Sequence, residues 1–211
     1  TLGLRYEQRH GKAYYLSQLN EADIALVKKA EQEQSLLVLI NQWLERMPYT
    51  RNDSYWDNNG GKSFWNIYRD AYAASLSELE QKNLAVFDSL FINSSEYPEG
   101  RSFSADAGRN ALFIMLYRDL PLLQLPYDLL NTLLELDQML SMWRHRHIHL
   151  VQRTIGKRVG TGGSSGAEYL RGAADSHYVF KELSELTSFL LPRNLLPVLP
   201  EQLISDMSFR R

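Results

Sequence analysis

The chain contains no cysteine, so it can build no disulfide framework, offers no thiolate ligand, and gives no sign of an oxidising compartment. It also lacks an excess of charge of one sign. The 23 Lys+Arg stand against 25 Asp+Glu, which supplies no argument for nucleic acid or an anionic membrane as a partner. No apolar run is long enough to span a bilayer, and no signal peptide is evident. There is no internal repeat, and no strand pattern longer than four residues competes with helix. What is present is 211 residues of 44% apolar content, enough to bury a sizeable core in one domain.

The apolar periodicity reads as an all-α bundle of about six helices. Asn20 with Asp23 caps a helix carrying Ile24, Val27, Ala30, Leu37, Ile40 and Leu44, and Pro48 closes it. Residues 49–62 form a polar loop. Ser63 opens a second helix with Phe64, Ile67, Ala71, Ala74 and Leu79, continuing in some form to Phe91, so that 63–100 reads as a helical excursion from a single domain 1–211. Ser104 caps a third helix through Leu116, which must stop near Pro121. Pro126 fits the first turn of a fourth, running to about Gly156. Ser165 and Glu168 form a capping box for a fifth, and a sixth runs from about Ser176 to Leu190, ending before Pro192.

The fourth helix carries the residues of most chemical interest. Leu133, Leu136, Leu140, Trp143, His147 and Leu150 follow steps of three, four, three, four and three, and so share one face. Glu135, Asp137, Arg144, Arg146 and Gln152 then fall elsewhere, and His147 is predicted to point inward. His145 and His149 flank it at about 200° around the helix and cannot share its direction. Those two are four apart and could in principle share a metal, but no glutamate follows His145 as the zinc-protease pattern requires. The commoner fate of such a pair is a solvated face. A lone histidine on an apolar stripe is ordinarily a core residue with protein partners. A neutral imidazole in a dry pocket is also a good iron ligand, and Trp143 stands one turn before it as a flat wall.

Beyond this helix lies Gly160-Thr161-Gly162-Gly163-Ser164-Ser165-Gly166. Its composition is that of a linker. It is not a P-loop, because Val151 stands where a glycine is needed before Gly156-Lys157, and Arg158 stands where Ser or Thr must follow the lysine. The dinucleotide fingerprint needs glycine at Ser165 and a preceding strand, and fails too.

Taken together these residues resemble tryptophan 2,3-dioxygenase, the haem enzyme that opens the indole ring of tryptophan. The resemblance runs through Glu31-Gln32-Glu33, Trp43-Leu44-Glu45-Arg46, the segment Ala111 to Asp119, Trp143-Arg144-His145-Arg146-His147, Gly160 to Gly166 with Tyr169-Leu170-Arg171, and Phe189-Leu190-Leu191-Pro192-Arg193. It covers most of the chain from about residue 20 to 200. A Gly-Thr-Gly-Gly-Ser-Ser-Gly run at fixed distance from Trp-Arg-x-x-His is its most specific part.

The resemblance implies a haem b cofactor with His147 as proximal iron ligand and Trp143 beside it. It implies that Thr161 binds the amino-acid end of L-tryptophan, with Gly160, Gly162 and Gly163 letting backbone approach the ligand. Trp43 and Arg46 match a secondary, non-catalytic tryptophan site, although a helix-end aromatic and a solvated arginine account for them equally well. The implied reaction inserts O2 across the indole C2–C3 bond to give N-formyl-L-kynurenine, in a cytoplasmic oligomer. The family's distal histidine, aromatic walls and carboxylate-pairing arginine lie in a segment before the residues matched here. The chain is therefore expected to correspond to the carboxy-terminal half, to carry no assigned catalytic residue, and to need an amino-terminal chain or segment. The composite unit is expected to form a homotetramer or hetero-oligomer. Two alternatives stay open: a related haem oxygenase acting on another indole or phenol, and a non-catalytic haem-binding module.

Overall fold

The computed structural model describes residues 11–48, 55–56, 63–93, 95, 97–156 and 178–208. Among them the regular structure is helical, with no strand. In chain order the α-helices are α1 (Gly11–Ser17), α2 (Glu21–Ala30), α3 (Leu36–Glu45), α4 (Phe64–Ser75), α5 (Lys82–Phe87), α6 (Ala105–Leu116), α7 (Pro121–Ile155), α8 (Lys181–Glu185) and α9 (Glu201–Asp206). Two compact units are formed, Thr1–Ser35 with Glu135–Val179, and Leu36–Leu134 with Phe180–Arg211. The helix α7 contributes residues to both.

Local capping signals are realised where they were read. The Asn20 side chain accepts from the Asp23 N–H at 2.9 Å, and Ser104 Oγ accepts from the Ala107 N–H at 3.2 Å. Three expectations need correction. The helix expected from Asn20 to Leu44 is two helices, because the polar run Glu31 to Ser35 has no apolar side chain whose burial could hold a helix across it. The fourth helix begins at Pro121 rather than around Pro126, which lies inside it. Pro121 occupies the first helical position, where a missing N–H is harmless, while Pro126 forfeits a bond to the Leu122 carbonyl. The last expected helix begins at Lys181, not near Ser176.

The larger core lies in the second unit. From Ala111 to Leu116 every residue of α6 is buried, which marks it as the helix the others wrap. Phe64, Trp65, Tyr68 and Tyr72 of α4 pack with Phe87, Phe91 and Phe189, Trp65 stacking on Phe91 with ring centroids 5.3 Å apart and Phe87 meeting Phe91 at 4.8 Å. Directly after α5, residues Asp88–Ile92 form a π-helical turn. Arg69 grips its first residue through both carboxylate oxygens of Asp88, and Arg109 Nε donates to the Phe91 carbonyl at 2.9 Å.

Buried polar groups in this unit meet main chain. Tyr68 donates to the Phe189 carbonyl at 2.7 Å, Tyr72 to that of Ser188 at 3.1 Å, and Tyr117 to that of Pro197 at 2.7 Å. Asn110, with no solvent exposure, donates from Nδ2 to the Leu44 and Met47 carbonyls at 2.9 and 3.1 Å. The Glu182 carboxylate accepts from the N–H groups of Ser102 and Phe103 and lies 3.2 Å from Arg101. Beside it a cavity of about 10 Å³, bordered by Tyr97, Arg101, Gly108 and Leu186, holds no more than a single water. It is far too small for an amino-acid ligand.

In the first unit, Lys12 of α1 pairs with Glu31 just beyond α2 at 2.7 Å. Tyr178 and Val179 meet Ser141 and Asp137 of α7. No helix among the described residues is long and apolar enough to cross a membrane.

Candidate functional site

The carboxy-terminal half of α7 presents its faces differently from the sequence expectation. Asp137 and Ile148 are buried, with Leu140, Ser141, Arg144, His147 and Val151 half-buried, whereas Trp143 is 51% and Leu150 62% exposed. The covered face thus runs Leu133, Asp137, Leu140, Arg144, Ile148, one position away from the stripe counted on letters. The physical reason is that α7 carries apolar side chains on two faces, so the letters alone do not say which one is covered. A second row, Leu136, Met139, Trp143 and Leu150, is exposed. Leu122, Leu125 and Leu129 continue the same seven-residue register towards the helix start. His147 stands at the edge between the two faces, half-buried rather than turned fully inward.

Its ring is held by Trp143. The two rings are parallel within 11°, with centroids 5.6 Å apart, as the step of four along a helix allows. Among the described residues neither ring nitrogen of His147 has a hydrogen bond. His145 differs, since its Nδ1 lies 2.9 Å from the Ser141 carbonyl one turn back. His149 is exposed, and no group of three or more ligating side chains is assembled among the described residues. Of the three histidines, His147 alone is stacked on an aromatic ring among the described residues.

Gly160, Thr161, Gly162 and Gly163 lie outside the described residues, as does the capping box at Ser165 and Glu168. The ends of that stretch are defined. On the leaving side α7 stops at Gly156, whose φ of 60° is the left-handed conformation natural to glycine at a helix end. On the returning side the Val179 N–H donates to Asp137 Oδ1 at 2.9 Å, and the Tyr178 hydroxyl lies 3.4 Å from Ser141 Oγ. Sequence reasoning set Asp137 on the outer face. Its step of four from Leu133 was the available signal that it joins a covered row.

Trp43 and Arg46 sit in the second unit at the end of α3. The Trp43 side chain packs against the core and the Arg46 side chain is exposed. The Arg46 N–H closes the last turn onto the Trp43 carbonyl at 3.2 Å.

The family model described as tryptophan 2,3-dioxygenase matches residues 1–190. The chain is similar to a tryptophan 2,3-dioxygenase of Alteromonas mediterranea, 33% identical over 99% of this chain and 63% of that protein. It is 36% identical to one of Dictyostelium discoideum, over 98% of this chain and 55% of that protein. With one of Xenopus laevis it shares 36% identity over 93% of this chain and 52% of that protein. The chain thus spans between about half and two thirds of the length of these relatives.

Proposed function

The chain belongs to the tryptophan 2,3-dioxygenase family, and from that premise we propose that it is the haem-holding part of an enzyme that inserts both atoms of O2 across the indole C2–C3 bond of L-tryptophan, giving N-formyl-L-kynurenine. The observation that carries this reading is the His147 imidazole. It is reachable at the edge of an apolar helix face, its ring is set by Trp143, and neither of its nitrogens is bonded to another described residue. An axial ligand for haem b needs those properties: a free nitrogen, a fixed ring plane and apolar surface for a flat, largely apolar macrocycle. The residues present fit the group. When bound, haem supplies the activation of O2 that no side chain here can provide.

His147 would hold the iron through one ring nitrogen, and Trp143 would keep the imidazole from rotating. Leu136, Met139 and Leu150 would exclude water from the surface beside it. Thr161 would bind the substrate's ammonium and carboxylate through its hydroxyl and neighbouring amides, with Gly160, Gly162 and Gly163 permitting close backbone approach. Arg46 and Trp43 would serve the secondary tryptophan site, the guanidinium pairing with carboxylate and the indole stacking.

The exposed row on α7 also bears on partners, since soluble proteins rarely leave a long contiguous apolar face in water. We assign its cover to an amino-terminal chain or segment that brings the distal histidine and the carboxylate-binding arginine. The composite unit would oligomerise, as a homotetramer or hetero-oligomer, in the cytoplasm.

The test is His147→Ala in the assembled protein. It should strip or severely weaken haem binding and remove the spectrum of a histidine-ligated iron, while His145→Ala stays close to wild type. Full haem loading with an unchanged ferrous spectrum in His147→Ala would refute the assignment. Thr161→Ala should keep haem content and raise the tryptophan KM, lower kcat, or both, by roughly ten- to hundredfold in kcat/KM, the worth of a hydrogen bond to a charged group. Unchanged kinetics would reduce the loop to a linker.

A further inference from the structure

Beside His147 the surface of α7 is apolar along its middle and basic along one side. Trp143 and Leu150 stand in the exposed row, and three residues beyond each of them comes an arginine, Arg146 and Arg153. At about 100° per residue these two positions lie within about 20° of each other, on the side of the row turned away from Arg144, Ile148 and Val151. Along the axis they are about 10.5 Å apart. Both are exposed.

Among the described residues neither of these side chains has a hydrogen bond or an ion pair, whereas Arg69 holds Asp88, Arg101 lies against Glu182 and Arg193 against Asp119. Their own helix does not neutralise them. The positions one turn before and after hold no acidic residue, being Met142, Trp143, His149 and Leu150 for Arg146, and His149, Leu150, Gly156 and Lys157 for Arg153. Asp137, the nearest carboxylate along α7, is buried on the covered face. On that face the cation Arg144 is half-buried and already partnered.

An apolar strip with cations on one side only suits a flat apolar ligand whose negative charge is gathered at one edge. Haem b has that form, with both propionate carboxylates on the same edge of its plane. A single axial bond leaves such a plane free to turn about it, and charge at the rim is what stops the rotation. We propose that Arg146 and Arg153 bind the propionates of haem b and so set the orientation of the macrocycle on His147. The proposal rests on the reading of His147 as the iron ligand. Guanidinium–carboxylate pairs are charge-assisted and commonly bidentate, and at an exposed edge they weaken as salt is raised.

The experiment follows release of cofactor from the loaded assembly to an excess of haem-free globin, for haem b and for its dimethyl ester, in which both carboxylates are uncharged. Changing Arg146→Gln and Arg153→Gln together should hasten release of haem b about tenfold at low salt, with the histidine-ligated ferrous spectrum unchanged and the difference shrinking at high salt. Glutamine keeps the helix-forming tendency of arginine. The ester should leave wild type and the double variant at rates within about twofold of each other. Release of haem b from the double variant within about twofold of wild type would overturn the proposal. So would equal acceleration of haem b and ester, which is what a loosened helix would give. Unaltered protein supplies a test that needs no substitution: at low salt it should release the ester faster than haem b, and equal rates would again overturn the proposal. His147→Ala separates the two readings. If it keeps haem with an unchanged spectrum, the axial ligand fails and the rim falls with it; if it loses that spectrum while the double variant releases haem b at the wild-type rate, the rim alone is defeated.

Discussion

Asn110 closes the end of α3 from outside that helix, and Asn110→Ala measures what the closure is worth. Helix ends leave carbonyls that the helix cannot satisfy. Here the Leu44 carbonyl accepts from both the Met47 N–H and Asn110, while the Met47 carbonyl accepts from Asn110. Truncation therefore has two unequal effects. The Met47 carbonyl loses a buried donor, at about 1–3 kcal/mol, and the Leu44 carbonyl loses one of two bonds, at about 0.5–1.5 kcal/mol. The sum is about 1.5–4.5 kcal/mol. For a chain of this size each kcal/mol moves Tm by about 2–4 °C, so a fall of roughly 3–18 °C is expected by calorimetry. Amide exchange at Arg46 and Met47 should quicken at the same time, because their N–H groups close the turn that Asn110 pins. Asn110→Asp should be no milder at neutral pH, since it sets a buried carboxylate against two carbonyl oxygens. A Tm within about 2 °C of wild type, with exchange unaltered, would refute this account.

Gly108 lies inside α6 where an added Cβ would meet nothing within 4 Å, so Gly108→Ala should stabilise by about 0.5–1 kcal/mol and raise Tm by about 1–4 °C; a lower Tm would mean that the space beside Arg101 is not free. Burial pushes the phenols of Tyr68 and Tyr117 far above their ordinary value, with Tyr72 raised for the same reason. Because these folded-state values are raised, the stability they contribute is complete below about pH 10 and is lost as pH climbs beyond it. In a tyrosinate absorbance titration, Tyr68 and Tyr117 should ionise only as structure is lost; reversible ionisation of all 12 tyrosines with helical content intact would contradict the buried phenols.

What could be read from the letters was what is local. Asn20 and Ser104 were legible as caps because a cap is a contact between a side chain and an N–H three residues on. The reach of α7 to Gly156 was legible because its period runs unbroken and a glycine ends it. The face of α7 was misjudged because periodicity reports which residues align, not which of two apolar rows the fold covers. The split between α2 and α3 escaped notice because the apolar steps resume in register after Glu31 to Ser35. Asn110 was not found at all, and Asp137 was set on the wrong face. Their partners are main-chain groups 66, 63 and 42 positions away, and no local pattern encodes such meetings. Trp143 and His147 stand four residues apart, and their stacking is what a step of four delivers.

The three phenols that reach carbonyls at residues 188, 189 and 197 act as a latch that cannot read spelling. A carbonyl oxygen is the same on every residue, so what Tyr68, Tyr72 and Tyr117 recognise is the course of the strap they hold and not its text. Ser188 and Pro197 could change identity while the latch still closed, provided the backbone kept its path. Loss of a phenol would open it whatever the strap contained. The carboxy-terminal stretch can therefore drift in its outward letters while tyrosines far upstream in the chain keep it shut.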